Sequence, residues 1–237
     1  MQKDLKDSEL YPNEWKKKES WTSWVSFLLV LAILLCAFFC VRDFWTTSFG
    51  GVVVDGSSMN DTFVDGEKLL MRYTSSGAKA ERGDVIVVDA RPYQKGGSKS
   101  DRVKEGDKVD ADFLIKRLIA IEGDTVRWNE TDDTLYIRYK GKSEFVPLKE
   151  DYATYKGGVE KYTFGTTSSG NVTDYEVGKG EIFFLGDNRN NSIDSRYKIA
   201  EKSNGSHLTC LYEESDIYGI VPEWAIANRN VLEKIFF

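Results

Sequence analysis

The chain has 237 residues, 41% of them hydrophobic and 13% aromatic, which is enough to bury a core and too apolar for general disorder. Its formal charge is -6, and residues 1–45 carry six basic against six acidic side chains, so the acidic excess belongs to the rest of the chain and argues against nucleic acid as a partner. There is one histidine, His207, and of three cysteines two, Cys36 and Cys40, lie in an apolar stretch; a His-rich metal cluster and a disulfide within the large domain are both excluded by counting.

Residues 1–20 are polar and charged and read as a tail, which the prediction carries to residue 23. From Trp24 to Val41 every residue except Ser26 is apolar or a small Cys or Ala, close to the length that crosses a bilayer as a helix. Trp21, Trp24, Phe44 and Trp45 flank it, where interfacial aromatics are expected, and the predicted transmembrane helix is 24–45. Lys16, Lys17 and Lys18 stand before the span, whereas Arg42 is the only basic residue between its end and Lys68. That asymmetry predicts a single-pass protein of the cell membrane, embedded in the lipid bilayer, with a cytoplasmic N-terminus and an extracytoplasmic large domain. A cleaved signal peptide has the same basic and apolar order, but Cys40–Trp45 makes a poor small-residue cleavage site.

Beyond Gly50 the texture changes to short β-rich runs divided by Gly, Asp, Asn and Ser. Strands are predicted at Val52–Val54, Glu67–Tyr73, Asp84–Asp89, Phe113–Ile121, Thr125–Trp128, Thr134–Tyr139, Tyr162–Phe164, Glu181–Leu185 and Tyr218–Val221, with one helix at Pro222–Arg229. The fold class is mostly β: an antiparallel β-sheet core formed by 46–128 and 181–237, with a smaller β region, 129–180, inserted into it, all preceded by the transmembrane helix. The segment 91–112, rich in Lys, Gly, Ser and Asp, reads as a mobile surface loop.

Three stretches can carry chemistry. Ser58 lies in Val54-Asp55-Gly56-Ser57-Ser58-Met59-Asn60-Asp61-Thr62-Phe63, a glycine-containing turn soon after the apolar span. Lys116 lies mid-strand, sharing a face with Leu114, Leu118 and Ala120. An ammonium there loses water, which lowers its pKa, and a neutral amine can take a proton from a serine hydroxyl. The competing reading is an edge-strand lysine whose head reaches solvent. The third stretch, Gly186-Asp187-Asn188-Arg189-Asn190-Asn191-Ser192-Ile193-Asp194-Ser195-Arg196, follows an apolar strand. Its carboxylates and arginines can pair to hold a loop rigid, and a hydroxyl such as that of Ser192 can orient a lysine amine; the plainer reading is an Asx-rich connection. His207, among polar neighbours, reads as a surface residue, so a Ser-His-Asp triad is weakly supported.

In this order the segments resemble the bacterial type I signal peptidases (leader peptidases), membrane-anchored serine proteases with a Ser-Lys dyad. The resemblance rests on Ser58-Met59 with Thr62, on Arg82-Gly83-Asp84-Val85, on Lys116-Arg117 with Gly123-Asp124, and on the whole of Gly186–Arg196, which is the most specific block. It implies Ser58 as nucleophile, Lys116 as general base, Ser192 helping to orient the lysine, and Asp194 with Arg196 and Asp187 with Arg117 as supporting ion pairs. It also implies two antiparallel β regions, a catalytic core and an inserted cap.

Departures from the family pattern are Asp61 where proline is usual, Phe63 for leucine, and Glu122 where proline often precedes Gly-Asp. Gly56 stands where some relatives carry a serine that serves as oxyanion donor, so oxyanion stabilisation leans on backbone N–H groups, including that of Ser58. The implied reaction is cleavage of secreted preprotein substrates after a small-x-small sequence, the substrate lying as an added strand, with no metal or other cofactor required. Two other readings stand beside it. One is a catalytically idle relative that assembles surface structures such as pili; the other is a cytosolic, self-cleaving repressor-type protease, against which the apolar span speaks.

Overall fold

Helix α1, Trp21–Ser48, is apolar on every side, and its large side chains from Val25 to Val41 are exposed. At 1.5 Å per residue its 28 residues reach about 42 Å, more than a bilayer core of about 30 Å, so it is long and apolar enough to cross a membrane. It runs three residues past the predicted 24–45 at either end. Thr46 and Thr47 lie within this extra length, their hydroxyls donating back to the Asp43 and Phe44 carbonyls. The structure, a computed structural model, describes residues 21–60, 62–89, 113–129, 134–153, 166–167, 170–171, 174–192, 194–195, 200–201, 208–209 and 212–237. Met1–Thr47 and Ser48–Phe237 are separate units.

The strands in chain order are β1 (Phe49–Val53), β2 (Lys68–Tyr73), β3 (Val85–Asp89), β4 (Phe113–Ile121), β5 (Thr125–Asn129), β6 (Thr134–Arg138), β7 (Val146–Pro147), β8 (Thr166–Thr167), β9 (Gly170–Asn171), β10 (Asp174–Glu176), β11 (Ile182–Leu185), β12 (Ala200–Glu201), β13 (Leu208–Thr209) and β14 (Ile217–Val221); helices α2 (Glu223–Ala227) and α3 (Arg229–Phe236) follow. The main sheet has six strands in the order β1-β2-β14-β3-β4-β11, and a smaller one has β10-β5-β6-β7, all paired antiparallel. β8 with β9 and β12 with β13 make two short hairpins.

The apolar run of β3 explains its central place. Ile86 and Val88 enter a core shared with the smaller sheet (Leu118, Phe183, Phe184, Val126, Ile137 and Tyr175), while Val85 and Val87 enter a second core on the opposite face with Val54, Met59, Phe63 and Leu69. A strand buried on both faces needs no polar alternation, and both of its neighbours, β14 and β4, must pair along it.

Three features differ from the sequence reading. β5 belongs to the smaller sheet, which therefore begins at Thr125 and not at 129: the turn at Glu122–Asp124 carries the chain from one sheet to the other, and strand periodicity does not encode which sheet a strand joins. The predicted helix Pro222–Arg229 is α2, halted at Asn228, whose amide donates to the Trp224 carbonyl (2.7 Å), and α3 then continues to Phe236. The short strands β7 and β10 were too brief to show a period of two. The predicted strand Tyr162–Phe164 and loop 91–112 lie outside the described residues.

Candidate active site

The chain leaves β1 at Val54, whose backbone pairs with Glu67 and Gly66 (2.8 and 2.9 Å) and so closes a loop over residues 55–66. Gly56 adopts φ +83°, a left-handed conformation open to glycine, and its N–H donates to Asp65. A single helical turn follows, with the N–H groups of Asn60, Thr62 and Phe63 donating back to Ser57 and Met59. Met59 and Phe63, both essentially without exposed surface, plug this turn into the second core. Burying the residue next to Ser58 fixes the direction in which Ser58 points.

Lys116 lies in β4 opposite Ile86 and is 3% exposed. Its Nζ sits 2.8 Å from Ser58 Oγ and donates to the Ile115 carbonyl at 2.9 Å. Burial pushes the amine down to about 8, against the opposing attraction of the Asp194 and Asp187 carboxylates. At that value a substantial fraction of the amine is neutral near physiological pH and can accept the proton of a hydroxyl at hydrogen-bond distance.

The loop after β11 passes directly beside this pair. A side chain on Gly186 would place its Cβ 2.2 Å from Ser192 Oγ and 2.5 Å from the Ser58 carbonyl oxygen, so only glycine lets the two segments meet. Asn188 then holds the turn with two donors: its backbone N–H to the Ser58 carbonyl and its side-chain amide to the Ser57 carbonyl, both 3.0 Å. Asn191 donates to Ser57 Oγ at 2.6 Å. Asp187, wholly buried, receives Arg117 through two nitrogens (2.9 and 2.6 Å) and the Thr62 hydroxyl at 2.6 Å, tying the strand of Lys116 to the turn of Ser58.

Among the residues singled out from sequence, Ser58, Lys116, Asp187 and Arg117 are brought together. Asp194 is buried beside them and accepts the Gly186 N–H at 3.1 Å. Ser192 is buried close to Gly186, which also lies against the Ser58 carbonyl, and its hydroxyl makes no hydrogen bond among the described residues. Arg196, Asp61 and His207 lie outside the described residues. Glu122 holds the β4–β5 turn, receiving Lys140 Nζ and the Gly180 N–H at 3.0 Å each, and is architectural. Sequence reading gave no role to Asn188, Asn191, Glu150 or Tyr152. The two asparagines stood within the quoted block, whereas Glu150 and Tyr152 carried no motif at all.

The sequence profile of the family "signal peptidase, peptidase S26" matches residues 21–232. The chain belongs to this family. It is 33% identical over 187 residues to signal peptidase I of Bacillus licheniformis, covering 76% of this chain and 80% of that protein. It is 32% identical over 182 residues to signal peptidase I T of Bacillus subtilis strain 168, covering 76% and 78%. A crystal structure of a signal peptidase I from Enterococcus faecalis V583 aligns with 61% of this chain and 98% of that one, at 27% identity and a TM-score of 0.36. In this signal peptidase family member the motifs at Ser58, Lys116 and Gly186–Ser195 converge on one place from three separate parts of the chain.

Proposed function

We propose that the protein is a membrane-anchored serine endopeptidase that removes signal peptides from secreted preproteins, with Ser58 as nucleophile and Lys116 as general base. The observation that carries this reading is the 2.8 Å separation of Ser58 Oγ from an amine that is 3% exposed. Lys116 takes the Ser58 proton as Oγ attacks the carbonyl carbon. The carbonyl π electrons move to oxygen, where the Ser58 N–H, which donates to no described residue, is available to stabilise the charge. Collapse breaks the C–N bond, the lysine ammonium returns the proton to the leaving amine, and an ester to Ser58 remains. Water, deprotonated by the same lysine, releases the signal peptide and restores the serine.

β11 pairs with β4 only from Arg117 to Ile121, so on that side Leu114–Lys116 has no partner strand among the described residues. An extended substrate is proposed to add there, beside the dyad, so that alternate side chains meet the small-x-small requirement. Residues 1–23 are assigned to the cytoplasm, 46–124 and 181–237 to the catalytic core, and 125–180, which begins with β5, to the cap. The contacts of Asp187 with Arg117 and Thr62 favour the supporting roles of Asp187 and Arg117; those of Asp194, Ser192 and Arg196 are proposed from the family pattern.

The test is cleavage of a model preprotein by detergent-solubilised protein. Ser58→Ala and Lys116→Ala, each shown to be folded, are expected to abolish it; full activity in either rejects the dyad.

A further inference from the structure

From β7 the chain leaves the smaller sheet and turns toward the site. The Leu148 N–H still donates to the Leu135 carbonyl (2.8 Å) and its side chain packs on the shared core, and a turn at Glu150–Ala153 follows, closed by the Ala153 N–H on the Glu150 carbonyl (2.9 Å). The Glu150 carboxylate, 7% exposed, faces Arg189, which is wholly buried; Nη1 donates at 2.9 Å and Nη2 completes a two-pronged pair. The same guanidinium donates through Nε to the Gly186 carbonyl at 2.9 Å. Two residues on, the Tyr152 ring lies face-on to the Arg117 guanidinium, 3.9 Å from its centroid. Burial and the Glu150 carboxylate hold the Tyr152 phenol in its protonated form, so the ring is a neutral stacking platform.

These two contacts land on both halves of the site. Arg117 is the residue next to Lys116 and the partner of Asp187, which holds Thr62; Arg189 is the residue next to Asn188, which holds Ser57 and Ser58. We propose that Glu150 and Tyr152 are positioning residues, a strap by which the inserted region fixes the spacing of Ser58 and Lys116 through Arg189 and Arg117. The inference rests on the serine–lysine reading. A guanidinium clamped between a carboxylate and a carbonyl, or under a ring, has little rotational freedom, and a displacement of about 1 Å at a reacting pair costs about a hundredfold in rate.

The experiment uses the full chain in detergent micelles and a synthetic peptide carrying an Ala-X-Ala cleavage sequence, with thermal melts run on every variant. Tyr152→Leu and Glu150→Gln are expected to lower kcat about tenfold to a hundredfold while KM stays within about twofold, because the strap acts through Arg189 and Arg117 on the spacing of the reacting pair and not on the free edge of β4. Tyr152→Phe, which keeps a ring over Arg117, is expected to recover kcat to within about threefold of the parent. The proposal is overturned if folded Tyr152→Leu keeps the parent kcat, or if Tyr152→Phe is as slow as Tyr152→Leu. A rise in KM with kcat unchanged overturns it too. So does a Tyr152→Leu protein that is unfolded at the assay temperature, since the stack then holds the fold and not the site. Ser58→Ala, assayed alongside, separates the two ideas: an active Ser58→Ala removes the dyad, whereas an inactive Ser58→Ala beside an unaffected Tyr152→Leu removes only the strap.

Discussion

Two wholly buried carboxylates, Asp124 and Asp187, each grip an arginine through two nitrogens, and yet they serve different parts of the molecule. Asp124 takes Arg82 (2.6 and 2.9 Å), in the turn before β3, and the backbone N–H groups of Ile121, at the end of β4, and Lys140, just after β6, so it ties both sheets to the turn that joins them. Asp187 takes Arg117 and the Thr62 hydroxyl, so its two partners lie in the segments that carry Lys116 and Ser58. The ion pair as such therefore does not distinguish scaffold from site. What distinguishes them is which segments the carboxylate joins.

The largest expected effect bears on the site side alone. Ser58→Ala is expected to lower cleavage of a model preprotein by at least about 10⁴-fold without loss of fold. Lys116→Met should do the same and also stabilise the protein. The amine sits at about 8 in the folded state against an ordinary 10.5, so the folded form binds fewer protons between those values. From this group stability rises with pH across about 8 to 10.5, and below 8 the buried ammonium is a constant cost. Removing it should raise unfolding free energy at pH 7 by on the order of 1–3 kcal/mol, measured by chemical denaturation.

Asp187→Asn and Asp124→Asn form the direct contrast. Each leaves a partly or largely buried arginine without its charge partner and should cost about 3 kcal/mol of stability. Only Asp187→Asn should also lower kcat, by about a hundredfold in protein verified as folded, whereas Asp124→Asn should stay within about threefold of the parent. Equal kcat losses in the two variants would erase the distinction. The pH profile sharpens it: kcat/KM should climb about tenfold per pH unit up to a limb near 8, where the Lys116 amine loses its proton, and be flat above. A limb well below 7 would mean that another group acts as the base. The smallest effect is expected from Asn191→Ala, which removes one hydrogen bond to Ser57 and should cost about 1 kcal/mol and a few-fold in kcat.

Much of this was legible in one dimension. Continuous apolar runs marked α1 and β3, and a lysine set among Leu114, Leu118 and Ala120 marked a buried amine, because burial and strand alternation are local properties of composition. Asp187 and Arg117 could be named from their motifs. β5 was placed in the wrong layer from periodicity, since a strand's neighbours depend on where the chain turns and not on its own side chains. Which partner the Ser192 hydroxyl takes was not legible either: it lies close to Gly186, unpaired among the described residues, and nothing in the loop's composition records that.

The sequence by itself determined that this chain carries an apolar helix long enough to cross a membrane, an antiparallel β domain, and a serine and a lysine in settings suited to reaction. Only the tertiary structure decided that the two groups meet across 58 residues of sequence, that Asn188 holds the Ser57 and Ser58 carbonyls, and that Glu150 and Tyr152 reach the two flanking arginines. The reason is physical: hydrophobic periodicity is set by neighbours along the chain, whereas the spacing of reacting atoms is set by hydrogen bonds between segments far apart in it, and those exist only once the sheets have packed.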